Sequence, residues 1–414
     1  MSGLRSILLF SAVAATLAAQ DFALREGDRV VFFGDSITDQ RLYTTFAETY
    51  VVTRFPKLNV TFIHSGWGGD RVTGGGGGPM DVRLWRDVFA HNPTVMTIML
   101  GMNDGRYRAF DQTIFDEFST GFKRIVDVSK RQMPGIRITA ILPSPYDDVT
   151  RAPLFEGGYN AVLVRYGEFL KQLALEQKLA VADLNTDVVA ALRKANEIDA
   201  AAAARLIPDR IHPGAAVHLL MAEALLKSWN APSLVSDVEL DAARKTAVRQ
   251  RNARVAALGG DGKGLMWTQT DDALPMPIDQ RDAATSLAVR SSDVIEALNQ
   301  QTLKVRGLAA GKYTLKIDGE TAGSFAAEQL TAGINLATLL TPMTRQAAQV
   351  HALTLRHNSL HATRWRQVQV PLEKEAAPHL LKALDALDEL EADLIKAQRA
   401  AALPVPRRFE LIPE

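Results

Sequence analysis

The sequence predicts an α/β fold for its first half: a three-layer arrangement with a five-stranded parallel sheet between helices, followed by helical and small β accessory segments. Two observations carry this reading. Short apolar runs recur at Val30–Phe33, Val60–Ile63, Val95–Leu100, Ile136–Leu142 and Leu179–Leu184, each β-branched or aliphatic enough to be buried on both faces. Helical stripes fall between the runs, the alternation expected of a parallel sheet wound with helices. Phe115, Phe118, Phe122, Ile125 and Val126 repeat at spacings of three and four, and that helix stops before Pro134-Gly135. Val162, Tyr166, Phe169, Leu170 and Leu173 form a second stripe. Pro213, suited to a first helical position, opens a third that runs to Trp229.

The pattern changes after Pro232. Residues 236–257 are charged and Ala-rich and read as one helix, so 233–284 reads as a helical linker closed by the loop signals Gly259-Gly260, Pro275 and Pro277. Residues 285–371 read as a small β domain, because Leu303–Val305 and Tyr313–Ile317 alternate and Asp318-Gly319 is a hairpin signal. Residues 372–414 read as a C-terminal helix and tail, with Leu380, Leu384, Leu387 and Leu394 on one stripe between Ala377 and Arg399. That helix is expected to pair with the one at 236–257, since neither is stable alone.

Composition narrows the function classes. The 414 residues allow two or three domains, and 47% apolar with 23% charged content is that of a globular protein. Formal net charge is zero, which removes any broad electrostatic case for nucleic acid or an anionic membrane as partner. The absence of cysteine excludes disulfides, thiol nucleophiles and Cys-ligated metals. Residues 1–19 read as a secretory signal peptide, with Arg5 as a basic start, an apolar stretch from Ile7 to Leu17, then Ala18 and Ala19. No cysteine follows to carry a lipid. The expectation is a periplasmic or secreted protein without a membrane anchor, whose main domain spans 20–232. No metal-ligand spacing stands out, and no cofactor is expected.

Four short blocks carry the chemistry. Val30–Phe33 ends in Gly34-Asp35-Ser36, which puts a serine just past the C-terminal end of a strand, the edge where open α/β sheets bind ligands. Gly66-Trp67-Gly68-Gly69-Asp70 and Gly101-Met102-Asn103-Asp104 follow the second and third strands, and Asp209-Arg210-Ile211-His212 comes last, between Pro208 and Pro213. In this order they resemble the SGNH hydrolases, also called the GDSL esterase/lipase family, over roughly residues 28–230. The Gly-Asp-Ser block departs from the G-x-S-x-G elbow of the α/β-hydrolases.

The resemblance implies a flavodoxin-like domain and a serine esterase. Ser36 is the candidate nucleophile, and a hydroxyl needs a base to act as one. His212 is the candidate general base, and Asp209, on the same loop, would fix its tautomer and stabilise the imidazolium. The bland alternatives are a helix-capping serine and a structural histidine. In the family, negative charge on the carbonyl oxygen is met by the nucleophile's own N–H, a block-two glycine N–H and a block-three asparagine side chain. Carried over, these are Ser36, Gly69 and Asn103, with Gly66 and Gly68 as rival registers.

Asp35 and Asp104 suit loop ordering through backbone N–H groups, and stand with Trp67 and Tyr146 as pocket candidates. Asp147, Asp148 and Arg151 suggest a polar rim to the cleft. His64 reads as a strand-end structural residue. Gly74–Gly78 lacks the Lys-Ser/Thr of a P-loop and reads as a mobile loop. The expected substrate is a small acyl ester, with acetylated carbohydrate inferred mainly from family habits. A lipolytic or aryl-ester hydrolase and a non-catalytic glycan-binding protein are the alternatives. Oligomeric state is not legible.

Overall fold

The computed structural model describes residues 21–260, 264–374 and 378–414; the signal peptide expected at 1–19 lies outside them. Five strands form the expected parallel sheet: β1 (Arg29–Gly34), β2 (Thr61–Gly66), β3 (Val95–Met99), β4 (Arg137–Ile141) and β5 (Ala180–Ala182). Their spatial order is β2-β1-β3-β4-β5, the flavodoxin-like order. β1 is an interior strand, and Val31 lies opposite Ile63 on one side and Met96 on the other. Val30 to Phe33 are fully buried because helices cover both faces. The strand order reverses between β1 and β3. The loops leaving these two strands therefore diverge and open a crevice at the sheet's C-terminal edge.

The helices follow from the stripes. α1 (Ser36–Asp39) and α2 (Leu42–Arg54) come after β1. α3 (Gln112–Gln132) buries Phe118, Phe122, Ile125 and Val126, and Asp111 caps its start by accepting from the Ile114 N–H. α4 (Gly158–Gln177) buries Val162, Tyr166, Leu170 and Leu173. α5 (Ala215–Ser228) is apolar almost all round and buried accordingly.

Beyond residue 232 three expectations are corrected. The expected helical linker at 233–284 is mainly strands: β6 (Leu234–Asp241), β7 (Thr246–Arg251), β8 (Ala253–Gly259) and β9 (Leu265–Asp271). The charges that looked helical lie on the outer side of a period-two pattern. Val238 and Leu240 point inward, while Asp237 and Glu239 pair with Arg249 of the neighbouring strand at 2.7 and 2.9 Å. Second, the β segment at 285–371 contains β10 (Gln300–Arg306), β11 (Lys312–Ile317), β12 (Glu320–Ala326) and β13 (Ile334–Asn335), but from Pro342 it is helical. α6 (Pro342–Ala362) begins where Thr341 accepts from the Thr344 N–H and proline holds the first turn. Third, α7 (Pro378–Ala402) forms where the last helix is expected but packs on α6. The tail is no loose end: β14 (Arg407–Pro413) inserts between β9 and β11.

These strands make sheets ordered β8-β9-β14-β11-β12 and β13-β10-β6-β7, which share a second core around Trp267, Leu303, Leu315 and Phe409. Val52 of α2 joins that core, so the β segment is packed directly on the α/β domain. A buried polar cluster extends the contact. Glu48 of α2 accepts from Gln398 at 2.9 Å and from Asn358 at 3.2 Å, and meets His357 at 2.6 Å and His64 at 3.1 Å. Burial disfavours the Glu48 carboxylate, but His357 and His64 outweigh it and hold Glu48 below its ordinary range.

Candidate active site

The loops after β1 and β3 and the loop before α5 meet at the crevice. Ser36 opens α1, and Asp35 caps that helix by accepting from the Ile37 N–H at 3.0 Å. The Ser36 hydroxyl lies 2.9 Å from His212 Nε2, and His212 Nδ1 lies 2.6 Å from Asp209 Oδ2. A carboxylate only accepts, so Nδ1 carries the proton and Nε2 is left to accept from Ser36. Asp209 Oδ1 also accepts from the N–H groups of Ile211 at 2.9 Å and His212 at 2.7 Å. Burial opposes its charge, yet these donors and the imidazole hold Asp209 below the usual carboxylate range. The three side chains thus form the continuous relay that an activated serine requires.

The loop carrying Asp209 and His212 is pinned from the β4 side. Arg210 takes a left-handed conformation (φ 71°), and its carbonyl accepts from the Asp147 N–H at 2.9 Å. Its guanidinium donates to the Asp147 carbonyl at 3.2 Å and lies 3.5 Å from Asp148. This corrects the expected polar rim. Asp147 is fully buried and folds its own loop by accepting from the N–H groups of Val149 and Thr150. Arg151 donates to the Ala204 and Ile207 carbonyls.

Asn103 follows β3 and is oriented from both ends of its amide. Its Nδ2 donates to the Asp70 carbonyl at 3.0 Å, and the Tyr107 hydroxyl donates to its Oδ1 at 2.7 Å. One Nδ2 hydrogen remains. Gly69 takes a left-handed φ of 77°, which turns the block-two loop back after Trp67. Among the described residues, neither the Ser36 N–H nor the Gly69 N–H is bonded to an acceptor. Gly66, a rival register, is the last residue of β2.

Of the pocket candidates, Asp35 and Asp104 order the loops behind the site through backbone N–H groups, as expected, and Tyr146 is buried with them. Asp35 and Asp104 are buried under the loops, where Asp104 accepts from the Val72 N–H at 2.9 Å. Burial pushes both carboxyls up to about 7; the Ile37 N–H opposes the rise at Asp35, and the Asp104 and Asp70 charges add to it. Tyr146 is buried against Tyr159 edge-on at 5.3 Å, under the Arg210 guanidinium. Short acidic and aromatic residues next to a site motif order its loops as readily as they line its cleft.

Trp67 is half-buried, and it explains two of the five glycines, Gly76 and Gly77. Gly74–Gly75 and Gly78–Pro79 form a tight hairpin, not a mobile loop, whose turn lies on the indole. A Cβ at Gly77 would stand 2.6 Å from Trp67 Cδ2 and 2.5 Å from Arg83 Cδ. Arg83 is buried beneath, donating to Asp70 at 2.6 Å, to Asp87 and to the Ser65 carbonyl at 2.7 Å.

Sequence reading missed Tyr107, Arg83, Arg210 and the arrival of Trp365 and Arg366 beside Trp67. The sequence signal for Tyr107 was its place four residues after Asn103; the structure puts it in a turn where Arg106 and Tyr107 both take positive φ.

Comparison with known proteins bears on this geometry. A solved structure of a gut microbial diltiazem-metabolizing enzyme superposes with a TM-score of 0.83, at 27% identity, over 94% of this chain and 98% of its own. An acetylxylan esterase from Geobacillus stearothermophilus is 26% identical over 227 residues, 49% of this chain and 93% of the relative. Residues 32–220 match the GDSL-like lipase/acylhydrolase family. That segment takes in the parallel sheet after its first residues and all four blocks in order, so residues 32–220 form a domain of the SGNH hydrolase, carboxylic-ester hydrolase type.

Proposed function

We propose that this protein is a serine esterase that removes short acyl groups, acetyl foremost, through an acyl-enzyme on Ser36. The observation that carries the reading is the relay of Ser36, His212 and Asp209 at 2.9 and 2.6 Å. In this mechanism His212 Nε2 takes the serine proton as Oγ attacks the ester carbonyl, and returns it to the departing alcohol. Asp209 keeps the imidazole in the productive tautomer and offsets its positive charge. Oxyanion charge is met by the Ser36 and Gly69 N–H groups and by the free Asn103 Nδ2 hydrogen. Water then enters by the same base-assisted step and releases the acid. The residues need no metal for this sequence of proton transfers.

Carbohydrate as the alcohol partner is supported by the similarity to the Geobacillus acetylxylan esterase. A small drug-like ester is a second reading, favoured by the whole-chain likeness to the diltiazem-metabolizing enzyme. The basic and apolar start of the sequence supports export.

The test compares wild type with Ser36→Ala on p-nitrophenyl acetate and on longer acyl chains. Turnover of acetate with near-complete loss in the variant is expected, leaving at most about 10³–10⁴ over water. Equal turnover by both proteins would overturn the nucleophile, and a steep preference for long chains would replace the reading with a lipolytic one. Acetate release from acetylated xylan against diltiazem turnover then separates the two alcohol classes.

A further inference from the structure

The geometry points to Arg366, about 150 residues beyond the segment that matches the family, as a positioning residue for the loop that bears Gly69. The inference rests on the esterase reading and adds a residue to it. The helix α6 continues into seven residues of π-helix, Thr363–Gln369, an irregularity found often at functional sites. It delivers two consecutive side chains to Trp67. The Arg366 guanidinium stacks on the indole at 3.6 Å, and Trp365 meets it edge-on at 5.3 Å.

The same guanidinium reaches both parts of the site. Arg366 Nη1 donates to Asp39 Oδ1 at 3.1 Å and to the Gly66 carbonyl at 3.4 Å. Asp39 is the last residue of α1, the helix that Ser36 opens, and Gly66 begins the block-two loop. The loop is otherwise tied to β1 by the Trp67 N–H on the Gly34 carbonyl at 3.0 Å. Arg366 thus bridges the nucleophile's helix and the oxyanion loop, three residues from Gly69. Trp365 anchors the bridge, as its indole N–H donates to Asp87 at 2.6 Å, and Asp87 in turn holds Arg83.

Stability alone explains this arrangement poorly. Arg366 and Asp39 are each about 25% exposed, and such pairs add little to folding. Their value lies in position, because donors to an oxyanion act only when held within a fraction of an ångström. A planar guanidinium is what the stack requires, since an ammonium cannot lie flat on an indole while donating sideways.

The experiment measures kcat and KM on p-nitrophenyl acetate for wild type, Arg366→Ala, Arg366→Lys and Arg366→Gln, with Ser36→Ala as the inactive control and melting temperature as the structural control. Arg366→Ala is expected to lower kcat about 10- to 100-fold, in line with a small misplacement of catalytic donors. KM should change less than threefold and the melting temperature by only a few degrees. Arg366→Lys should recover part of kcat but less than half of it. If Arg366→Ala fails to fold, Arg366→Gln keeps the stem and a donor, and at least a fivefold loss of kcat is expected. A folded Arg366 variant with wild-type kcat overturns the inference while leaving the esterase reading intact. A rise in KM at constant kcat overturns it too, in favour of substrate binding by Arg366. A wild type that hydrolyses no ester overturns the esterase reading and this inference with it.

Discussion

Tyr107→Phe removes one oxygen atom from the back of the site, and its consequence can be worked out from two distances. The Tyr107 hydroxyl donates to Asn103 Oδ1 at 2.7 Å, and Asn103 Nδ2 donates to the Asp70 carbonyl at 3.0 Å. Burial raises the Tyr107 phenol to about 12, so the hydroxyl stays protonated and remains a donor at any working pH. Phenylalanine keeps the ring contact with Tyr159 at 5.2 Å, and both residues pay the same cost for a φ of 53°. The substitution therefore isolates the hydrogen bond, worth about 0.5–1.5 kcal/mol net. If that bond serves only to aim the amide, kcat should fall about 2- to 13-fold, with KM nearly unchanged. Asn103→Ala removes the donor itself and should cost about 10²–10³ in kcat. The decisive measurement is the double-mutant cycle on p-nitrophenyl acetate. In the Asn103→Ala background, Tyr107→Phe should cost nothing, because there is no amide left to aim. An equal loss in both backgrounds would refute the reasoning and make the Tyr107 hydroxyl a direct contact of the substrate.

Two further outcomes are expected. Asp209→Asn should lower kcat by about 10²–10⁴, the span of general acid–base contributions, with KM preserved, and steady-state kinetics on the same ester would show it. His357→Gln should lower stability by about 3–5 kcal/mol near pH 6, since it strips a partner from buried Glu48. Burial lowers the affinity of His357 for its proton, but Glu48 and Glu391 outweigh it and raise its pKa to about 10, above the ordinary 6.5. The stabilisation is then complete below pH 6.5 and is lost as the pH rises through about 10. Urea unfolding from pH 6 to 10 should show the gap between wild type and His357→Gln closing; a constant gap would rule out this ionisation.

The α/β half was legible because its strands are buried on both faces. Val30–Phe33 and Val95–Leu100 have no polar side to confuse the pattern, so an apolar run and the glycine after it locate both strand and loop. Asp209 and His212 were legible for a local reason, as three residues of one loop are enough to join them by a 2.6 Å hydrogen bond. The segment at 234–259 was misread because its strands are solvated on one side. Asp237, Glu239 and Arg249 satisfy one another across strands, and charge of that kind looks the same on a helix until its partner is known. Gly74–Gly78 was misread because the need for glycine lies in the positive φ of Gly74 and Gly78 and in Trp67 and Arg83, which press on Gly76 and Gly77 from outside the hairpin.

The same distinction explains why the back of the site stayed hidden. Ser36, Asn103 and His212 stand in short blocks whose spacing already brings them to one sheet edge. What holds those blocks at fixed separation comes from far along the chain, from Arg210 against Asp147 and from Trp365 and Arg366 against Trp67. An arginine in a run of Thr-Arg-Trp-Arg carries no local sign of the indole 300 residues away that it covers. Two of the places where the C-terminal segment is bound to the α/β domain are the Glu48 cluster and the Arg366 bridge. The first is buried and ionic, while the second is partly exposed and borders the loop that carries Gly69. Loss of the first should therefore appear as a change in unfolding, and loss of the second as a change in turnover. Measuring both quantities on His357→Gln and Arg366→Ala separates attachment of this segment from its contribution to catalysis.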